Sequence, residues 1–183
     1  MMAESAPSVL AAWSNFYIMT GSAAASLTGL MFVVITLVSG EERVRATPDG
    51  ISTFSTPTVA HFSTALLVSA MLAAPWRSLI HPAILLGLLG LASIAYLIRV
   101  TYLTRKLTAY TADLEDWAWY TILPLLAYSA ILAGAIGLPT AWAEAPFALA
   151  AGIVLLLFIG IRNAWDVVTF IAIKRPGKPP GSS

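Results

Sequence analysis

Nearly all the charge of this chain is confined to short clusters between five long apolar stretches, and that segregation constrains the fold more than any other feature. The stretches run from about residue 13 to 38, 57 to 76, 83 to 103, 117 to 138 and 147 to 173. As helices rising 1.5 Å per residue, each is long enough to cross a hydrocarbon layer roughly 30 Å thick. Only 10% of the 183 residues are charged and 58% are hydrophobic, whereas globular domains carry about 25% charge. A water-soluble domain of this size could not hide so much apolar surface, but a bilayer solvates it directly. The predicted fold is therefore an all-α integral membrane protein, a bundle of five transmembrane helices forming one domain over residues 13–173. Residues 1–12 form a short outer tail lacking the basic segment of a signal peptide. The Pro- and Gly-rich residues 174–183 are expected to be a disordered cytoplasmic tail.

The charged clusters orient the bundle. With five spans, Arg43, Arg45, Arg105, Lys106, Lys174, Arg175 and Lys178 fall on one side and only Arg77 on the other. Basic residues in short loops stay cytoplasmic, so the N-terminus is predicted outside and the C-terminus in the cytoplasm of a bacterial inner membrane. The overall balance is near neutral, ten Lys and Arg against nine Asp and Glu, and offers nothing to nucleic acid. The chain has no cysteine, which removes disulfides, thiol nucleophiles and Cys-ligated metal centres.

The first span opens with Trp13, Phe16 and Tyr17, aromatic residues suited to the headgroup level. Its centre repeats small residues every four positions at Gly21, Ala25 and Gly29, with Ser22 and Ser26 beside them. These three are the predicted helix-packing face, because small side chains let another helix come close enough for dispersion contacts. Phe16 and the run from Gly21 to Val34 resemble the first span of small, uncharacterised bacterial multi-span membrane proteins. That resemblance implies a multi-span fold and no particular reaction.

Five residues stand out because polar groups are costly inside a bilayer. Arg162, Asn163 and Asp166 interrupt the last span, where each ionised side chain costs roughly 2.5–3.5 kcal/mol to insert unless it is paired or hydrated. Arg162 and Asp166 are one helical turn apart, Asn163 and Thr169 extend the same strip, and the strip is predicted to point inward. From the rise per residue, His61 lies roughly 6 Å, Arg99 roughly 7 Å, Asp166 roughly 10 Å and Arg162 roughly 16 Å inside the cytoplasmic boundary. His61, Arg99, Arg162, Asn163 and Asp166 thus form a polar intramembrane set in one leaflet. His81 lies roughly 30 Å of helix from His61, so the two cannot ligate one haem iron within a single chain. His61, Ala65, Ser69 and Ala73 share a face of the second span that should meet protein. Arg99 reads as a residue reaching for headgroups between Tyr96 and Tyr102. Arg162 and Asp166 read either as a pair fixing helix register or as part of a site.

No His-Glu-x-x-His, Walker loop, dinucleotide fingerprint or catalytic carboxylate pair is present, and none of Ser22, Ser26, Ser63 and Ser69 has both a visible base and a nucleophile elbow at matching depth. Neither an enzyme nor a bound metal is expected. The favoured function is a homo-oligomer in the lipid bilayer with a polar cavity or pore in the cytoplasmic leaflet, acting as a channel or binding a small ligand or lipid. One alternative is an accessory or anchor subunit that holds a protein partner in the membrane. Another is a protein that binds quinone or haem. No cofactor is required by any motif; lipid, quinone and haem are the candidates compatible with the spans.

Overall fold

The structure, a computed structural model, describes residues 6–39, 48–105, 117–140 and 142–173. Its elements are α1 (Ala6–Ala12), α2 (Ser14–Ser39), α3 (Pro48–Ala73), α4 (Ile80–Arg105), α5 (Leu123–Gly137) and α6 (Ala145–Ile173). A π-helical turn at Ala118–Ile122 leads into α5 and a 3₁₀ turn at Leu138–Thr140 leaves it. No strand occurs among the described residues. Four segments are long and apolar enough to cross a membrane: Ser14–Thr36, Ile80–Tyr102, Ala118–Thr140 and Ala145–Asp166. In α3 the apolar part is shorter, Pro57–Ala73. The expected tail at 174–183 and the basic loop residues Arg43, Arg45 and Lys106 lie outside the described residues.

One helix start differs from expectation. Residues 39–56 read as a loop with Pro57 opening the second span, but α3 begins at Pro48 and Pro57 lies inside it. Proline suits a helix start because its missing N–H is unpaired there in any case. Pro48 takes that role, and Pro57 merely deletes one backbone bond further on. Pro124 falls in the fourth stretch, where a proline kinks a helix unless a neighbour satisfies the freed carbonyl. The helix before it is wound as a π turn, in which the Leu123 N–H bonds the Ala118 carbonyl. Widening the turn just ahead of a proline accommodates the ring and the donor it lacks.

The helices pack in the spatial order α2, α3, α6, α5, α4, so consecutive α3 and α4 barely touch. Being central, α6 has 56% of its span buried, whereas α2 and α4, at the two ends of the row, have 22% each. Glycines set the closest approach. A side chain at Gly152 would come 2.8 Å from the Ala127 carbonyl oxygen, and one at Gly134 would come 2.9 Å from that of Ala145. These contacts show α5 running antiparallel to α6. Trp13 meets Phe147 edge-to-face, with ring centroids 4.7 Å apart, which places the starts of α2 and α6 at the same end. Gly21 meets Ser69, and Met31, Phe62 and Ala164 share one cleft, so α3 runs antiparallel to both α2 and α6.

The small-residue face of α2 is only partly used. Gly21 is buried, a Cβ there lying 3.1 Å from Ser69 Cβ, but Ala25 is exposed and Gly29 has open space around it. The buried side of α2 instead carries Tyr17, Thr20, Ala24 and Met31. Strict steps of four drift around a helix of 3.6 residues per turn, so only mixed steps of three and four stay on one neighbour. Threonines on this helix satisfy their own hydroxyls: Thr28 Oγ1 donates to the Ala24 carbonyl at 2.8 Å and Thr36 Oγ1 to that of Val33 at 2.8 Å.

Candidate functional site

On α3, α5 and α6, which pack side by side, four polar side chains are buried among apolar ones: Thr58, His61, Tyr128 and Asn163. α3 supplies Thr58 and His61 one turn apart, and its next residue, Phe62, is pressed against Gly160 of α6. Because α3 and α6 are antiparallel, stepping one turn from that contact reaches Thr58 on one helix and Asn163 on the other at the same end of the bundle. α5 brings Tyr128, whose hydroxyl lies 2.8 Å from His61 Nδ1. Thr64 is a second hydrogen-bonding neighbour of the phenol. A neutral imidazole has one donor and one acceptor nitrogen, so this bond ties α3 to α5 with either partner donating.

Asn163 differs from the others. It is 1% exposed, and neither its Oδ1 nor its Nδ2 has a hydrogen-bond partner. Such a group forfeits its hydration without replacement, and native interiors rarely retain one without a reason. The hydroxyl of Tyr17, buried at the other end of the bundle, is likewise unpartnered. Elsewhere the bundle pairs its interior polar groups: Thr20 and Ser69 are 3.0 Å apart across the α2–α3 contact.

The strip on α6 is therefore split. Asn163 points inward as predicted, but Arg162 and Asp166 lie on the flank, their side chains 34% and 40% exposed. Arg162 donates to the Asp166 carboxylate along the helix, and its guanidinium stands 5.7 Å from the centroid of the Trp119 ring. At 100° per residue, Arg162 cannot share Asn163's inward direction. Pairing with Asp166 and covering by the π turn let it stay on the flank. Arg99 is exposed on α4, whose packing partner is α5, and does not join the junction. Along α3, His61, Ala65 and Ser69 are buried as expected and Ala73 is exposed. His81 is exposed beyond the far end of α3, its ring stacked 6.4 Å from that of Trp76.

The sequence did not single out Tyr128 or Thr58, and Trp119 read only as an interfacial aromatic at the start of the fourth span. Tyr128 lies one turn after Pro124 in an otherwise apolar run, which was its only available signal. Among the described residues no three His, Asp or Glu gather to hold a metal ion. Beside this junction, an apolar cleft of about 210 Å³ opens between α2, α3 and α6, with Leu27, Met31, Phe62, Ala164, Trp165 and Val168 in its walls. Neither a protein family, nor a curated protein, nor a solved structure matches the chain.

Proposed function

We propose that the chain is a five-span protein of the bacterial inner membrane, N-terminus outside, that acts without catalysis as a homo-oligomer and holds a small polar ligand or a conduction path in its cytoplasmic half. The observation that carries this reading is the buried, unpartnered amide of Asn163, on the helix that packs between those of His61 and Tyr128. Three spans converge there with hydrogen-bonding capacity to spare, and in low-dielectric surroundings such capacity is a strong attraction for a ligand that can use it. No free carboxylate or cation among the described residues faces the junction, so the ligand would be uncharged.

Two geometric facts support the span count. At 26 residues, α3 extends about 39 Å, enough to cross despite its shorter apolar core. The starts of α2 and α6 lie at one end, as the first and fifth of five alternating spans must. Support for an oligomer comes from α2, where Ser22, Ala25, Ser26 and Gly29 make an outward face of small residues, all exposed in one protomer.

Reconstituted oligomer, assayed for ion and neutral-solute flux from about pH 5 to about pH 8, tests the reading. Flux or small-solute binding that Asn163→Leu abolishes while oligomer and fold persist is the expected result. Activity indifferent to residue 163 would end it.

A further inference from the structure

We propose, on the reading of Asn163 as a ligand site, that its ligand is a small primary amide or urea, a compound with C=O and N–H on one edge. A side-chain amide holds its Oδ1 acceptor and one Nδ2 hydrogen side by side in a plane, pointing the same way. Both atoms of Asn163 are buried and neither has a partner. A complete match therefore donates to the oxygen and accepts from the nitrogen at once. Other small solutes satisfy only part of this. A carboxylate can only accept and an ammonium or guanidinium can only donate, and the nearest described charges, Arg162 and Asp166, are already paired with each other. A secondary amide in its trans form points N–H and C=O in opposite directions. A hydroxyl must make both bonds through a single oxygen, which bends them away from the linear geometry that hydrogen bonds prefer.

The surroundings set the size. At 3.6 residues per turn, Asn163 points between Gly160, about 60° to one side, and Gly152, about 20° to the other. Gly160 lies against Phe62 of α3, and Gly152 against Ala127 and Ile131 of α5. The His61–Tyr128 bond ties those two helices together. The amide thus points into the seam that α3 and α5 close over α6. With Asn163 1% exposed and the helices held this near, a ligand enclosed beside it is limited to a few heavy atoms. In such low-dielectric surroundings two parallel hydrogen bonds discriminate strongly against a solute that makes only one.

The test uses full-length protein in nanodiscs, with empty nanodiscs as the blank. Binding is read by saturation-transfer NMR, which detects weak ligands, on the methyl protons of acetamide. Wild type should bind acetamide, and added urea should displace it. N-methylacetamide and acetate should be held about tenfold more weakly, the cost of a lost hydrogen bond. Folded Asn163→Leu should no longer bind acetamide. The comparison among solutes is made on wild type and needs no variant to fold. If N-methylacetamide or acetate binds as well as acetamide and Asn163→Leu loses them all, the site stands but the amide class is overturned. If no solute binds, or if Asn163→Leu still holds acetamide, the reading of Asn163 as a ligand site falls and the amide proposal falls with it.

Discussion

His61 Nδ1 and the Tyr128 hydroxyl, 67 residues apart in sequence, meet at 2.8 Å between two helices that are not neighbours along the chain. The bond fixes the rotation of α3 against α5 and orients the imidazole of the candidate site. Tyr128→Phe should therefore cost about 0.5–1.5 kcal/mol. A double-mutant cycle with His61→Ala, read by reversible unfolding in mixed micelles, should recover most of that as coupling between the two residues. Additive single effects would mean the bond contributes nothing.

Asn163→Leu keeps the side-chain size and removes an amide that has no protein partner. The empty protein should be as stable as wild type or up to about 2 kcal/mol more stable, because a desolvated polar group is replaced by an apolar one. Under the proposed function the same variant is inactive. Stability that rises while activity disappears is the combination to look for, by thermal unfolding and flux assays on one preparation.

The flank pair makes a prediction about unpaired charge. Asp166→Leu leaves the Arg162 guanidinium partly sheltered without its anion, and should destabilise by about 1–3 kcal/mol. Adding Arg162→Met should restore most of the loss, since the pair is more costly to break than to replace. Both effects are discounted for partial exposure, which lets water or headgroups reach the arginine. If the single and double variants are equally unstable, the arginine is not the source of the cost.

Glycine substitutions report helix spacing. Gly152→Ala would set a methyl 2.8 Å from the Ala127 carbonyl oxygen and 2.6 Å from Ile131 Cγ1, forcing α5 and α6 apart at a cost of about 1–3 kcal/mol. Gly29→Ala meets nothing within 4 Å and should change protomer stability by less than about 0.5 kcal/mol. A weakened oligomer in Gly29→Ala, seen by cross-linking or light scattering, would locate the small-residue face of α2 at the contact between copies.

Apolar length and the segregation of charge determined from sequence alone that the chain is a bundle of long helices fit for a membrane. Both depend on transfer of side chains out of water, which is local and additive along a helix. Sequence also marked His61 and Asn163, because any polar residue in such a helix must find a reason to be there. It could not find Tyr128, whose hydroxyl is unremarkable until α3 and α5 are brought to either side of α6. Nor could it divide the strip at Arg162, Asn163 and Asp166, because helical spacing says which residues share a face but not where the neighbours stand. The order α2, α3, α6, α5, α4 settles that. It turns Asn163 into the interior and leaves Arg162 and Asp166 on the flank with Trp119. It also puts Arg99 outside the junction and leaves Ala25 and Gly29 uncovered in the protomer. These are properties of helix-to-helix packing, set by close approach at Gly134, Gly152 and Gly160, and no periodicity within one segment encodes them.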